Sequence, residues 1–182
     1  MEEVLLCGLI SDILNTMKPR IILGVDPGSR YTGYGILHIS GSRLHVEASG
    51  RISPKQSLSF AERLAVIFST LSSIAEQYTP DIMSLEDVHV AHNVRSALKL
   101  GQARGVAIAV SALYGMTVFD CTPTLVKKTM TSYGGASKEQ VAFMVERYLG
   151  KKVESSDESD AIAIALCAYH YAPEFQKHSI YK

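Results

Sequence analysis

The sequence predicts an α/β domain in which a mixed five-stranded sheet carries helices on both faces. The order of the predicted elements is the main reason, because three consecutive strands come first and helices then alternate with two more strands. The composition agrees with this. In a chain of 182 residues, 47% hydrophobic and 20% charged residues are enough for one domain with a buried core.

The first three strands are predicted at 21–26, 34–40 and 44–52. The first is an apolar run that ends at Asp26 and is followed at once by a Pro-Gly turn. The second and third flank Gly41-Ser42, which is typical of a hairpin turn, so they should pair antiparallel. Gly33 and Gly35, near the start of the second strand, would let another group approach the sheet closely.

The remaining elements follow helical and strand periodicities. A helix at 58–78 has apolar residues at helical spacing and stops at Thr79-Pro80. Apolar runs at 82–85, just before Glu86, and at 116–119 predict the fourth and fifth strands. Further helices are predicted at 94–114, 138–149 and 157–171.

Charge and cysteine content exclude little. The formal net charge is zero, but residues 87–138 carry six basic and two acidic side chains, and residues 139–160 carry six acidic and three basic ones. This contrast fits a polyanion site beside a metal site, and it also fits two ordinary solvated faces, which are the more frequent case. The three cysteines, far apart and without metal-ligand spacing, indicate a reducing compartment rather than a disulfide framework or a zinc site.

The status of residues 1–19 as an N-terminal extension is left open by the sequence. Apolar residues recur there at helical spacing, which predicts an amphipathic helix; alternatively, translation begins at Met17. The segment is acidic and has neither a basic start nor a long apolar run, so it is a poor signal peptide and cannot cross a bilayer. The expected location is therefore cytoplasmic, with no membrane partner.

Four carboxylates mark the candidate site. Asp26 and Glu86 each end a buried strand, and if these strands are parallel neighbours, both acids lie at one edge of the sheet. Asp157 and Asp160, three residues apart at the start of an apolar helix, share one helical face. Turn chemistry explains Asp26 about as well as a site does. Helix capping explains one of the two helical acids but not both, since like charges repel, and Mg²⁺ or Mn²⁺ would relieve that repulsion.

Three blocks of the sequence resemble a known family. They are GVDPGSRYTGYGI, LEDVHVAHNVRSALKLGQARGVAIA and SSDESDAIAIA, and they are similar to blocks of RuvC, the bacterial Holliday junction resolvase. The resemblance runs from about Arg20 to Tyr171. It implies a ribonuclease-H-like nuclease domain at 20–172, followed by a C-terminal tail at 173–182.

The activity that the resemblance implies is Mg²⁺-dependent nicking of four-way DNA junctions in homologous recombination and repair. The product ends would be a 5′-phosphate and a 3′-hydroxyl. The resemblance also implies a homodimer and, as partners, the RuvA and RuvB branch-migration proteins.

The resemblance implies roles for specific residues. The catalytic, metal-binding acids would be Asp26, Glu86, Asp157 and Asp160. Two Mg²⁺ ions per site, with Mn²⁺ as the alternative, would be bridged by Asp26; Glu86 would hold one ion, and Asp160 with Asp157 the other. Lys138 would act with these acids by offsetting charge that develops on the phosphate.

Contacts to DNA are expected from basic and aromatic positions around the acids. The residues are Arg30, His89, Arg95, Lys127 and Lys138. His89 is a departure, because family members often carry an aromatic such as Phe three residues after the Glu, and imidazole stacks on bases with less area. The turn at 27–30 is expected to offer backbone N–H groups to the DNA backbone.

Three rival interpretations stay open. An actin- or hexokinase-like phosphate binder would need a second, duplicated domain. A shorter ribosomal-RNA-processing nuclease of the same fold would not explain the long central block. A non-catalytic junction-binding protein would be hindered by four carboxylates facing DNA unless metal neutralised them.

The predicted helix at 94–114 carries a stripe of small residues. Four are spaced four apart and a fifth lies near the end: Ala97, Gly101, Gly105, Ala109 and Ala112. Two glycines inside a helix cost about 1 kcal/mol each relative to Ala, which predicts a compensating close contact. That contact is either with the chain's own sheet or with a second copy. Leu98 and Val106, on the opposite face, are expected to take the inward role if the stripe serves a dimer.

Overall fold

The five strands of the sheet are formed by short apolar runs that alternate side chains between two faces. The computed structural model describes residues 20–40, 43–87 and 94–172. The strands in it are β1 (Arg20–Asp26), β2 (Thr32–Ser40), β3 (Arg43–Ile52), β4 (Ile82–Glu86) and β5 (Thr117–Cys121).

The sheet is mixed, with strand order β3-β2-β1-β4-β5. β1 pairs antiparallel with β2, and β2 pairs antiparallel with β3. β4 lies parallel to both β1 and β5. This is the predicted mixed five-stranded sheet, and β1 and β4 meet the condition of being parallel neighbours that the sequence analysis left open.

In the described part of the chain, five helices cover the two faces of the sheet. They are α1 (Phe60–Tyr78), α2 (Val94–Leu113), α3 (Pro123–Thr131), α4 (Lys138–Leu149) and α5 (Ser156–Tyr171). Apolar residues of α1 and α2 pack on one face, in a core that includes Leu23, Leu71 and Val110. Residues of α3, α4 and α5 pack on the other face, around Ile22 and the almost fully buried α5. No helix in the described ranges is both long and apolar enough to span a bilayer.

Helix α3 is absent from the sequence-based prediction. Its start carries an ordinary signal, because the side chain of Thr122 accepts a hydrogen bond from the backbone N–H of Leu125 and Pro123 occupies the first turn. The predicted fifth strand was placed slightly early, since β5 continues to Cys121 through pairing with Glu86. The predicted N-terminal helix and the Gly41-Ser42 turn lie outside the described residues.

Two of the three cysteines meet in the core, although they are far apart in sequence. Cys121 and Cys167 are both free and buried, and their thiol groups interact across the β5–α5 contact. Cys7 lies outside the described residues.

The stripe of small residues on α2 faces outward. A Cβ atom added at Gly101 or Gly105 would meet nothing within 4 Å. The inner face of α2 is formed instead by Ala103, Ala107, Val110 and Ser111. Leu98 is 64% exposed, so the expectation that it would face the core is wrong, whereas Val106 does pack there.

Candidate active site

Two strand ends bring Asp26 and Glu86 together. In the parallel pair, Val25 lies opposite Leu85, so the next residues along, Asp26 and Glu86, are neighbours across the two strands. Side chains alternate along a strand, and Val25 and Leu85 belong to the core beneath α1 and α2. Asp26 and Glu86 therefore face α5 on the opposite side of the sheet.

Glycines let α5 approach the sheet at this edge. A Cβ atom at Gly24 would lie 2.2 Å from the backbone oxygen of Ala161, and one at Gly33 would lie 1.9 Å from that of Asp157. Any side chain at either position would push the helix away. The prediction of a close approach at Gly33 is thus confirmed, and the approaching group is the first turn of the helix that carries the other two acids.

The N-terminus of α5 is held by residues that are distinct from the candidate site acids. Ser155 is the cap, and its side chain accepts a hydrogen bond from the backbone N–H of Glu158. The Glu158 carboxylate is buried and accepts from Ser49 Oγ at 2.6 Å and from the Glu154 backbone N–H at 2.8 Å. Ser155 is therefore the cap, and neither Asp157 nor Asp160 takes that role.

Asp26 lies at the electrostatic centre of the four acids. Its pKa is raised from 3.8 to about 7, first by burial and then by the negative charges of Asp160, Glu86 and Asp157. Lys138 acts in the opposite direction and lowers this pKa. An ionised Asp26 is thus unfavourable here unless a cation shares the site.

Lys138 is a cation that the structure places against the acids. Ser137 caps α4 through a capping box with Gln140, which fixes Lys138 in the first turn of the helix. Its Nζ donates a hydrogen bond to Asp160 Oδ2 at 3.2 Å. The charge of Asp160, followed by those of Asp26 and Glu86, raises the pKa of Lys138 although partial burial opposes this.

Arg51 is a residue of this region that the sequence analysis missed. Its guanidinium lies 3.6 Å from Asp157 Oδ2 and stacks 4.5 Å above the ring of Tyr31. It reaches the site because Arg51 pairs with Gly33 across β2 and β3, the same Gly33 that α5 covers. Nothing in the local sequence of β3 signals this position.

The other predicted DNA-contacting residues lie on separate elements of the fold. Arg30 is exposed in the turn after β1, Arg95 is exposed in the first turn of α2, and Lys127 is half-buried on α3. His89 lies outside the described residues. The turn after β1 is partly closed on itself, because the Gly28 N–H donates to Thr32 Oγ1 at 3.4 Å. That N–H is therefore less available to DNA than the sequence suggested.

The four acids cluster electrostatically without forming a tight ligand group. Among the residues that the structure describes, three metal-ligating side chains whose ligand atoms all lie within 4.8 Å of one another occur at His38, His45 and Glu47. Those residues are on β2 and β3, away from Asp26.

Comparisons with known proteins agree with one another. The family model described as "Crossover junction endodeoxyribonuclease RuvC" matches residues 22–168. A protein of that name from Lawsonia intracellularis is 49% identical over 147 residues, covering 80% of this chain and 88% of the relative. Another from Trichlorobacter lovleyi is 46% identical, covering 80% and 83%.

Solved structures show the same fold. Thermus thermophilus RuvC in complex with a Holliday junction substrate superimposes with a TM-score of 0.78 at 27% identity, covering 84% of this chain and 94% of that one. The yeast mitochondrial Holliday junction resolvase Ydc2, at 11% identity and a TM-score of 0.63, shares the fold alone. With a matching family model over most of its length and relatives above 45% identity, the chain belongs to the RuvC family of crossover junction endodeoxyribonucleases.

Proposed function

We propose that this chain is a structure-selective endonuclease that resolves four-way DNA junctions by paired, metal-dependent nicks in homologous recombination and repair. The products would carry 5′-phosphate and 3′-hydroxyl ends. The observation that carries the proposal is the clustering of three carboxylates around Asp26 at one sheet edge. The match to crossover junction endodeoxyribonucleases, one of them solved with a Holliday junction, supports the choice of substrate.

The donor set fits a hard divalent cation. Carboxylate oxygens are the ligands that Mg²⁺ and Mn²⁺ prefer. The pKa of Asp26 is raised by burial first and then by the negative charge of the neighbouring acids, which such an ion would compensate. Asp26 would be the shared ligand, with Glu86 on one side and Asp160 with Asp157 on the other. When bound, two such ions supply an activated water and stabilise the leaving oxygen of a phosphodiester.

The protein's own residues position the DNA strand and balance its charge. Lys138 lies within hydrogen-bond distance of Asp160, so its ammonium group can turn toward a phosphate that enters the site. Arg30, Arg95 and Lys127 would contact flanking phosphates, which gives affinity without selecting a sequence. Arg51 would hold Asp157 in place from the neighbouring strand.

Two identical sites are needed for paired nicks. A four-way junction has near two-fold symmetry, which a C₂ homodimer matches. The outward-facing stripe on α2 supports a dimer contact through this helix. A cytoplasmic location and cooperation with the RuvA and RuvB branch-migration proteins follow from the family resemblance.

The test is nicking of a synthetic four-way junction with labelled strands. We expect symmetric nicks in two like strands with Mg²⁺, none with EDTA, and little cutting of linear duplex or single-stranded DNA of the same sequence. An ATPase assay on the same preparation examines the phosphate-binder alternative. Binding of the junction without metal-dependent nicking would overturn the proposal and favour a non-catalytic junction-binding protein.

Replacing Lys138 is expected to slow the chemical step more than it weakens binding. Lys138→Ala should lower the single-turnover nicking rate about 10²-fold, the loss typical of one group that stabilises transition-state charge, with junction affinity changed only a few-fold. Lys127→Ala should have a smaller effect. Single-turnover kinetics and a binding titration on the same junction measure both quantities.

Lys151→Ala is the matched control for the lysine prediction. Lys151 is exposed just beyond the C-terminal end of α4, roughly 16 Å or more from Lys138 along the helix axis. It should leave the nicking rate unchanged. A Lys138→Ala protein that binds the junction weakly but nicks bound DNA at the normal rate would remove Lys138 from the catalytic set.

A further inference from the structure

A second cluster of metal-ligating side chains lies on the β2–β3 hairpin. It consists of His38 on β2 and of His45 and Glu47 on β3, hereafter the hairpin cluster. One ligand atom from each of the three residues lies within 4.8 Å of the other two. We propose that the hairpin cluster binds a single first-row transition metal ion of the Zn²⁺ type, separate from the catalytic metal site.

Strand pairing builds the hairpin cluster. His38 and His45 are direct partners across the antiparallel β2–β3 pair, so their side chains leave the same face. Their ring centroids are 4.9 Å apart, with the planes at 66°. In this edge-on arrangement, one ring nitrogen of each imidazole lies within 4.8 Å of the other.

A β-bulge adds the third ligand. Val46 pairs with Leu37 and Ala48 pairs with Ile36, which leaves Glu47 as the extra residue on β3. Bulges redirect side chains and occur often beside functional sites. Here the bulge residue directs its carboxylate to His45, with 2.8 Å between Glu47 Oε2 and His45 Nε2.

The hydrogen bonding of His38 is incomplete. Its Nδ1 is shut off from solvent and has no hydrogen-bond partner among the described residues. Buried polar atoms normally have a partner, and an ion is one group that can partner an atom left without one. His45 and Glu47 are exposed, so an ion from solution can enter from that side.

The ligand chemistry selects a transition metal over Mg²⁺. Two imidazoles and one carboxylate suit Zn²⁺, whereas Mg²⁺ prefers an all-oxygen shell. With metal–ligand distances of about 2.0–2.2 Å, ligand atoms around tetrahedral Zn²⁺ lie roughly 3.3–3.5 Å apart. The His45–Glu47 pair, now at 2.8 Å, would open by about 0.5–0.7 Å to admit the ion, and ligand atoms that lie farther apart would close by about 1.5 Å at most. A water would fill the fourth position.

The hairpin cluster is far from the nuclease acids. Along β2, His38 pairs with Ile21 and Gly33 pairs with Asp26, so the two sites are separated by five strand residues, about 17 Å. The two sites also lie on opposite faces of the sheet. His38 is two residues after Ile36, so its side chain leaves the same face as that of Ile36, the face that α1 and α2 cover. β3 is an edge strand of the sheet, and an ion here would tie that edge to β2.

The experiment titrates Zn²⁺ into metal-stripped full-length protein in competition with a chromogenic chelator. The parent is an Asp26→Asn, Glu86→Gln, Asp160→Asn variant, which removes the carboxylate site from the measurement. We expect one Zn²⁺ bound through the hairpin cluster, and at least about tenfold weaker binding after His38→Ala, His45→Ala or Glu47→Gln. His170→Ala, which removes a histidine of α5, is the matched control and should bind like the parent.

Two further measurements keep the proposal falsifiable if a variant folds poorly. Saturating Zn²⁺ should raise the Tm of the parent by about 5–10 °C at 100 times Kd, and it should shift the imidazole nitrogen NMR signals of His38 and His45. Unchanged imidazole signals, or cluster variants that bind Zn²⁺ as tightly as the parent, would overturn the proposal. Junction nicking by His45→Ala in the wild-type background should be normal.

Discussion

Asp26→Asn is expected to abolish junction nicking, with a loss of at least about 10³-fold in the single-turnover rate. An amide at this position cannot serve as the shared anionic ligand of two cations, and Asp26 is the acid on which the charges of the other three converge. Junction affinity should persist within a few-fold, because it depends on contacts of Arg and Lys with phosphates. Nicking and binding assays on one labelled junction measure both.

The loss of nicking rate on replacing each of the other acids should follow how strongly its charge acts on Asp26. Glu86→Gln and Asp160→Asn should give losses similar to Asp26→Asn, since their charges are the two largest that act on Asp26. Asp157→Asn should be the mildest. Its charge acts least on Asp26, and it is already partly balanced by Arg51 at 3.6 Å. Equal losses from all four substitutions would contradict this ranking.

The stability of the Asp26 variant separates lost chemistry from lost fold. The pKa of Asp26 is about 7 in the folded chain, against the ordinary value of 3.8 for an aspartate. Between these pH values Asp26 is protonated in the folded state and ionised in the unfolded state. The stabilisation that follows from this difference is complete below about pH 4 and is lost as pH rises through 7. The metal-free wild type should therefore lose about 2–4 kcal/mol of unfolding free energy from Asp26 over this range.

Asp26→Asn should remove that pH dependence. Urea unfolding in EDTA at pH 5 and pH 8 is the measurement, and the variant should be more stable than wild type at pH 8. An inactive variant that is also unfolded, or that no longer binds the junction, would mean that Asp26 has a structural role beyond catalysis.

Much of the site was predictable because the sequence shows where two of the strands end. An apolar run that stops at an acid, as at Asp26 and Glu86, places the carboxylate at a sheet edge, and β1–β4 parallel pairing then makes the two acids neighbours. The spacing of Asp157 and Asp160 predicts their shared helix face. Helix α3 was missed although Thr122 and Pro123 carry a readable start signal.

Other features depend on tertiary contacts that no local pattern encodes. Arg51 reaches Asp157 only because the register of β3 against β2 places it opposite Gly33. Glu158 stands between Asp157 and Asp160 in sequence, yet its carboxylate turns inward to Ser49 across the sheet. Both contacts require the close approach of α5 to the sheet, which the glycines permit. The sequence predicted a close approach at Gly33 but not which element approaches.

A bulky, charged residue on the α2 stripe is expected to convert a dimer to a monomer. In the single chain, a Cβ atom at Gly101 or Gly105 meets nothing within 4 Å, so internal packing does not explain these glycines. Each glycine costs about 1 kcal/mol of helix stability relative to Ala. A backbone that approaches closely in a partner, as in interfaces built on small residues, is the compensation that we propose.

The surroundings of the stripe support a protein contact. Val94 and Leu98, on the first turns of α2, are 69% and 64% exposed. With Ala97, Gly101 and Gln102 they line an apolar groove of about 350 Å³. Such a surface is unfavourable in water and is typical of an interaction site.

The prediction is that Gly105→Arg, like Gly101→Arg, halves the mass measured by light scattering, from about twice 19.8 kDa to the 19.8 kDa of one chain. Paired incisions in the junction should be lost and slow single nicks should remain, because each active site then acts without the site of a second chain. Since Arg is a better helix former than Gly, the variant should stay folded.

Gly105→Ala is the matched control; it improves helix propensity with only a methyl group added, and it should remain dimeric and active. A folded Gly105→Arg protein that is still dimeric and still makes both nicks would place the dimer interface away from α2.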